Sequence, residues 1–165
     1  MSLSIKRLGP GDEATLELLA KEDAAFDLEG RGSPLSPLKP ALAQRYLANP
    51  GVLHWVAFED NVPTGFLVCN LVLLRSGLGQ ELLLYEVGVR MSARRQGIGR
   101  ALLSHMESWM QSNDVREVWV CADNQVAVEF YRGCGFQLEG EQPVYLTRTL
   151  ELPPKKAAAT LLSVR

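Results

Sequence analysis

Leu3 and Ile5 alternate with polar neighbours, the period-two pattern of a half-buried strand over residues 3–8. Gly9-Pro10-Gly11 breaks it, and Asp12 stands where a helix N-cap would, opening a helix to about Lys21 with Leu16, Leu19 and Ala20 on one face. Residues 23–34 carry Gly30 and Gly32 and read as a loop. Ser36-Pro37 predicts a second helix start, because proline at the first helical position forfeits no hydrogen bond. That helix should end near Asn49-Pro50-Gly51. Three apolar runs follow, over residues 52–59, 62–74 and 81–90. Asp60-Asn61 is a hairpin signal between the first two. The connections are too short for a parallel crossover, so the runs predict an antiparallel meander.

The period changes at Arg94. Ile98, Ala101, Leu102, His105 and Trp109 recur at helical spacing, and Asn113 can end that helix. Residues 115–121 read as a buried strand. Residues 125–134 read as a short helix, with Val126, Phe130 and Cys134 four apart. Residues 136–140 and 143–150 are expected to close the sheet as two further strands. The order β–α–α–β–β–β–α–β–α–β–β predicts an α/β fold: a mixed, mostly antiparallel central sheet flanked by helices, with one βαβ unit inside it. Residues 1–152 form the expected domain, and residues 153–165, with Pro153-Pro154-Lys155-Lys156, an expected surface tail.

Composition narrows the function classes. The chain has 165 residues, 47% apolar and 22% charged, an ordinary globular balance. With 17 basic against 19 acidic residues it lacks the basic footprint of a nucleic-acid binder. Apolar runs such as Leu82-Leu83-Leu84 fall far short of a membrane span, and the first residues carry no signal-peptide pattern, so a cytoplasmic location is expected. Cys69, Cys121 and Cys134 read as reduced thiols, and without a Cys-x-x-Cys pair or a His cluster no metal site is expected.

The chemistry concentrates where Glu86-Val87-Gly88-Val89 leads towards Arg94-Arg95-Gln96-Gly97-Ile98-Gly99-Arg100. A strand runs into a donor-rich turn, and the turn opens a helix whose first N–H groups carry the positive end of the dipole. Gly97 and Gly99 lack Cβ atoms, and Arg94, Arg95 and Arg100 add charge, so the turn reads as a pyrophosphate cradle. The plainer alternative is a solvated basic helix start. The motif has neither the Lys-Ser/Thr of a P-loop nor a full dinucleotide fingerprint.

A second segment extends this. Asn124, Ala127, Tyr131, Gly135 and Phe136, taken with Arg94, Gly97 and Gly99, resemble the two signatures of the GCN5-related N-acetyltransferase (GNAT) family. Within the family the chain is most similar to the aminoglycoside 3-N-acetyltransferases. The similar stretches are Phe26-Asp27, Gly65-Phe66-Leu67-Val68, Tyr85 to Val89, Arg94 to Ile98 and Ala122-Asp123. It departs from them in having Glu86 where aspartate is common, and Asn124-Gln125 directly after Asp123 where a longer acidic segment is common. Those departures bear on the acceptor and not on the acetyl-CoA site.

The resemblance implies a GNAT fold and transfer of an acetyl group from acetyl-CoA to an amine, most closely the 3-amino group of an aminoglycoside, which would give antibiotic resistance. It places the acetyl-CoA site at Val87, Gly88, Val89, Arg94, Arg95, Gln96, Gly97, Ile98, Gly99, Arg100, Asn124, Ala127 and Tyr131. Gly88 would suit a local bulge where the two parallel strands part. An amine near pKa ~10 is mostly protonated at neutral pH, so a base is needed. Glu86 and Asp123 are the candidates, and Tyr131 is the candidate acid for the leaving thiolate. Each also has a plain reading: a solvent-side strand residue, a helix N-cap and a packed aromatic. Asp27, Glu29, Glu86 and Asp123 are the candidate acceptor-binding residues, within an acidic cluster that includes Glu22 and Asp23, with Glu139 and Glu141 contributing from a late hairpin. His54 reads as structural and His105 as a partnered core or edge histidine. Cys134 lacks a histidine to activate it. The expected partners are a small-molecule amine and, as a candidate assembly, a second copy of the chain, with no nucleic acid, membrane or metal. Two alternatives stand beside this: an acetyltransferase for another small amine or a protein N-terminus, and a non-catalytic acyl-CoA-binding module.

Overall fold

Asp60 and Asn61 both adopt positive φ, 49° and 64°, the requirement of the tight hairpin turn that joins two strands directly. In the computed structural model, which describes residues 2–26, 35–75, 79–138, 140, 144 and 146–150, this turn links β2 (Val52–Glu59) to β3 (Val62–Leu73) with Glu59 opposite Val62. The other strands are β1 (Leu3–Arg7), β4 (Gln80–Val89) and β5 (Val118–Val120). They form a mixed sheet in the order β1-β2-β3-β4-β5, antiparallel except for the parallel pair β4–β5. The helices are α1 (Glu13–Lys21), α2 (Pro40–Leu47), α3 (Ile98–Ser112) and α4 (Gln125–Gly133). The expected α/β meander and βαβ unit are therefore present.

Two cores sandwich the sheet. On one face Leu53, Trp55, Leu67, Leu82 and Leu84 pack beneath α3, whose buried stripe runs Ile98, Leu102, Met106, Met110. On the other, Val56, Phe66 and Val68 pack with Leu19, Phe26 and Leu47 beneath α1 and α2. Burying these faces drives assembly, at about 25 cal/mol per Å² of apolar surface removed from water.

Several expectations need correction. α2 starts at Pro40, not Pro37. Lys39 precedes a proline and takes φ −59°, ψ 146°, so the helix cannot run through it from Ser36. Residues 36–39 are also exposed, and an added turn would bury nothing. Asp12 holds the N-cap position of α1 without capping it. Its carboxylate accepts from Lys6 Nζ at 2.5 Å and from Gly9 N at 3.0 Å, closing the turn behind β1 instead. β5 spans three residues, not seven. The described residues of 136–150 form no strand, and Leu138, Val144, Leu146 and Leu150 are exposed, so their apolar spacing buries no face. The tail at 153–165 lies outside the described residues. His105 is exposed at the flank of the α3 stripe, edge-on to Trp55 at 6.4 Å.

Candidate active site

β4 and β5 part after three paired positions. Leu82 lies opposite Val118, Leu83 opposite Trp119 and Leu84 opposite Val120, and β5 ends there. β4 continues to Val89 against β3 alone, with Val87, Gly88 and Val89 opposite Leu67, Phe66 and Gly65. Its other edge, over residues 85–89, has no strand partner among the described residues. Backbone groups on an open edge can pair with an extended ligand as another strand would.

The bulge falls at Tyr85, not at Gly88. Cys69 pairs with Leu84 and Val68 with Glu86, so Tyr85 is the extra residue. It shifts the phase of the strand: Leu82 and Leu84 face α3 before it, Val87 and Val89 after it. Glu86 is thereby turned to the α1–α2 face, opposite Val68, and is half-buried there. Without the extra residue its carboxylate would point into the α3 core. Gly88 has a packing role, because a Cβ there would stand 2.5 Å from Cε1 of Phe66.

The turn before α3 has the expected donors. Arg95 and Gly97 take positive φ, 63° and 86°, and Gly97 is the N-cap residue. The first bond into the helix runs from Ala101 N to Gly97 O at 2.9 Å, so the preceding N–H groups have no helical acceptor. A Cβ on Gly97 would meet nothing within 4 Å, leaving that approach open. Gly99 is buried and makes room for Phe130, 3.1 Å from where its Cβ would be. Ile98 is also buried, so only its backbone can serve a ligand.

The arginines divide. Arg94 donates from Nε to Val89 O at 3.2 Å and from a terminal nitrogen to Phe26 O at 2.6 Å. Arg100 donates to Gly133 O at 2.7 Å, at the end of α4. Arg95 is exposed. Gln96 donates to Ser92 O at 3.3 Å.

The second signature builds the start of α4. Asn124 caps it, accepting from Ala127 N at 2.8 Å, and donates from Nδ2 to Asp123 at 2.9 Å. The N-cap reading of Asp123 therefore passes to its neighbour, and the Asp123 carboxylate remains exposed. Ala127 is half-buried against the main core. Tyr131 is buried between Phe130 and Phe136, with ring centroids 5.2 and 5.3 Å away. Burial holds its phenol well above the ordinary tyrosine value, with smaller contributions from Cys69, Asp123 and Cys134.

The acidic cluster is reorganised. Glu22 forms an ion pair with Arg90, which also donates to Pro63 O at 3.0 Å and stacks 5.3 Å from the Phe26 ring. Asp23 accepts from Leu35 N at 3.1 Å. Two of the expected acceptor carboxylates thus anchor the connection between α1 and α2. Asp27, Glu29, Glu139 and Glu141 lie outside the described residues. Sequence spacing offered no sign of Arg90, because its partners are brought to it only by folding.

His54 is structural, as expected: it is buried, its Nδ1 is 3.1 Å from Tyr46 Oη, and desolvation pushes it down to about 4 and Tyr46 up to about 12. Burial raises the Cys134 thiol, keeping it protonated. Among the described residues no group of His, Cys, Asp or Glu is placed to hold a metal ion, and no helix is long and apolar enough to cross a membrane.

Comparison with known proteins agrees with this architecture. The family described as "Acetyltransferase (GNAT) family" matches residues 17–136. The ribosomal protein bS18-alanine N-acetyltransferase of Escherichia coli (strain K12) is 27% identical over 117 residues, 68% of this chain and 72% of that protein. An aminoglycoside acetyltransferase from an uncultured soil metagenomic sample, solved in complex with sisomicin, is 25% identical with a TM-score of 0.76, over 90% of this chain and 97% of that one. The aminoglycoside N-acetyltransferase AAC(6')-Iy in complex with CoA shares the fold, with a TM-score of 0.68 and 16% identity over 90% and 96% of the two chains.

Proposed function

This chain belongs to the acetyltransferase (GNAT) family, and on that premise we propose that it transfers the acetyl group of acetyl-CoA to an amine of an aminoglycoside. The observation that carries the reading is the parting of β4 and β5 beside Glu86. The open β4 edge, the N–H groups at the start of α3 that have no helical acceptor, and the exposed Arg95 suit an extended ligand with a pyrophosphate. When bound, acetyl-CoA supplies an activated thioester carbonyl. Val87 to Val89 would hold its pantetheine arm along the strand edge, and the turn from Arg94 to Gly97 would hold its phosphates.

Glu86 takes the base role and Asp123 does not. Glu86 is half-buried on rigid β4 at the parting, whereas the exposed Asp123 already accepts from Asn124. The Glu86 carboxylate, directly or through a water, would take the proton from the acceptor ammonium. Tyr131, whose phenol is protonated at neutral pH, is the candidate acid for the departing thiolate. Holding acetyl-CoA and the amine side by side at the strand parting would also order the two reactants, which lowers the entropic part of the barrier.

The relative solved with sisomicin supports an aminoglycoside acceptor, and the sequence resemblance implies the 3-amino group. A second reading has its own support. The 27% identity to an alanine N-acetyltransferase favours a protein N-terminus. A thiol-release assay with gentamicin, neomycin and a peptide beginning with alanine tests both. We expect turnover of the aminoglycosides, lowered about 10²-fold in Glu86→Gln, with NMR of the product reading the acetylated nitrogen. A higher kcat/KM for the peptide than for either antibiotic would transfer the assignment to the second reading.

A further inference from the structure

The sheet face carrying Glu86 is covered unevenly. Among the described residues, the core beneath α1 and α2 takes its sheet residues from β2 and β3 and none from β4 or β5. On the part of that face outside this core, Trp119 lies opposite Leu83 and shares its face, which is the face opposite Leu82 and Leu84 in the α3 core. Tyr85 follows two residues along β4, a step of roughly 7 Å. The bulge sets two consecutive side chains, Tyr85 and Glu86, off the α3 core, between its members Leu84 and Val87. Tyr85 is 70% exposed and Trp119 39%. Two large aromatic side chains thus share this face where β4 and β5 part, Tyr85 adjoining the candidate base and Trp119 on the neighbouring strand opposite Leu83.

We propose that Tyr85 and Trp119 form an aromatic platform that receives the face of the acceptor's amino-sugar ring and selects ring-bearing polyamines over linear ones. The inference rests on the acetyl-transfer reading above and deepens it. Neighbouring exposed aromatic side chains on one face form a contiguous apolar patch, the kind of surface that marks a ligand or interaction site. A saturated amino ring offers C–H groups and ammonium charge, both attracted to the negative face of an aromatic ring. The neighbouring carboxylate supplies the complementary charge. A linear polyamine of equal charge would satisfy Glu86 but present no ring to the platform.

The test compares gentamicin with spermine as acceptors for wild type, Tyr85→Ala, Trp119→Ala and Tyr85→Phe. Both side chains are exposed, so unchanged circular dichroism is expected in each variant. The alanine variants should raise the gentamicin KM about tenfold, leave the spermine KM and the acetyl-CoA Kd where they were, and Tyr85→Phe should keep the wild-type gentamicin KM. If wild type turns over gentamicin and neither alanine variant moves its KM, or if spermine is affected equally, the platform is overturned and the proposed function stands. Wild type that turns over no aminoglycoside overturns the proposed function and the platform with it.

Discussion

The guanidinium of Arg94 donates to the backbone carbonyl of Phe26 at 2.6 Å, across 68 positions of sequence. The same side chain holds Val89 O at the end of β4. One residue therefore joins the open strand edge, the turn that starts α3 and the connection between α1 and α2.

We predict that Arg94→Ala weakens acetyl-CoA binding several-fold at low ionic strength and less at high, because an exposed charge is screened by salt. Calorimetry at two salt concentrations reads this. An affinity loss equal at both would make Arg94 a strut without an electrostatic role.

The Phe66 ring lies across Gly88, and both sit beside the parting strands. Gly88→Ala should destabilise the fold by about 1–3 kcal/mol through overpacking. Adding Phe66→Leu should recover part of that loss, because the colliding ring is gone. Denaturant melts of Gly88→Ala, Phe66→Leu and the double variant check the pair, and simple additivity would show that the two sites do not couple.

Tyr131→Phe should lower kcat of order 10²-fold with little change in acetyl-CoA affinity, since only the transition state uses the hydroxyl. Because burial holds the phenol above its usual range, Tyr131 should put no alkaline limb in the wild-type rate profile below about pH 10. Steady-state kinetics and a pH series measure both. A variant with wild-type kcat, with chemistry shown to be rate-limiting, would leave Tyr131 a packing residue.

His54 is buried and its imidazole is held down to about 4 from 6.5, so it is neutral in the folded chain at neutral pH. Between those values the unfolded chain binds the proton and the folded one does not. The stability it contributes is thus present above pH 6.5 and is lost as pH falls towards 4, by up to about 3 kcal/mol. His54→Phe should flatten that part of the stability profile in urea melts. An unchanged slope would assign the acid sensitivity to other groups.

The meander, the lengths of α3 and α4, the donor-rich turn and the place of Tyr131 were legible in the sequence. Each depends on neighbours a few residues away: the Asp60-Asn61 turn, the helical recurrence of apolar residues after Arg94, and the glycines around Ile98. What the chain order did not reveal depends on partners far along it. Nothing in Leu82-Leu83-Leu84-Tyr85-Glu86-Val87 says which residue is extra, because a bulge is chosen by how both faces of the finished sheet pack. That single added residue decides whether Glu86 enters the α3 core or the opposite face of the sheet. Glu22 and Asp23 looked like acceptor carboxylates until Arg90 and the Leu35 N–H arrived to hold them. Local spacing specifies which elements form, since their hydrogen bonds close within a few residues. The orientation of a charge and the identity of its partner are settled only when distant side chains compete for the same buried space.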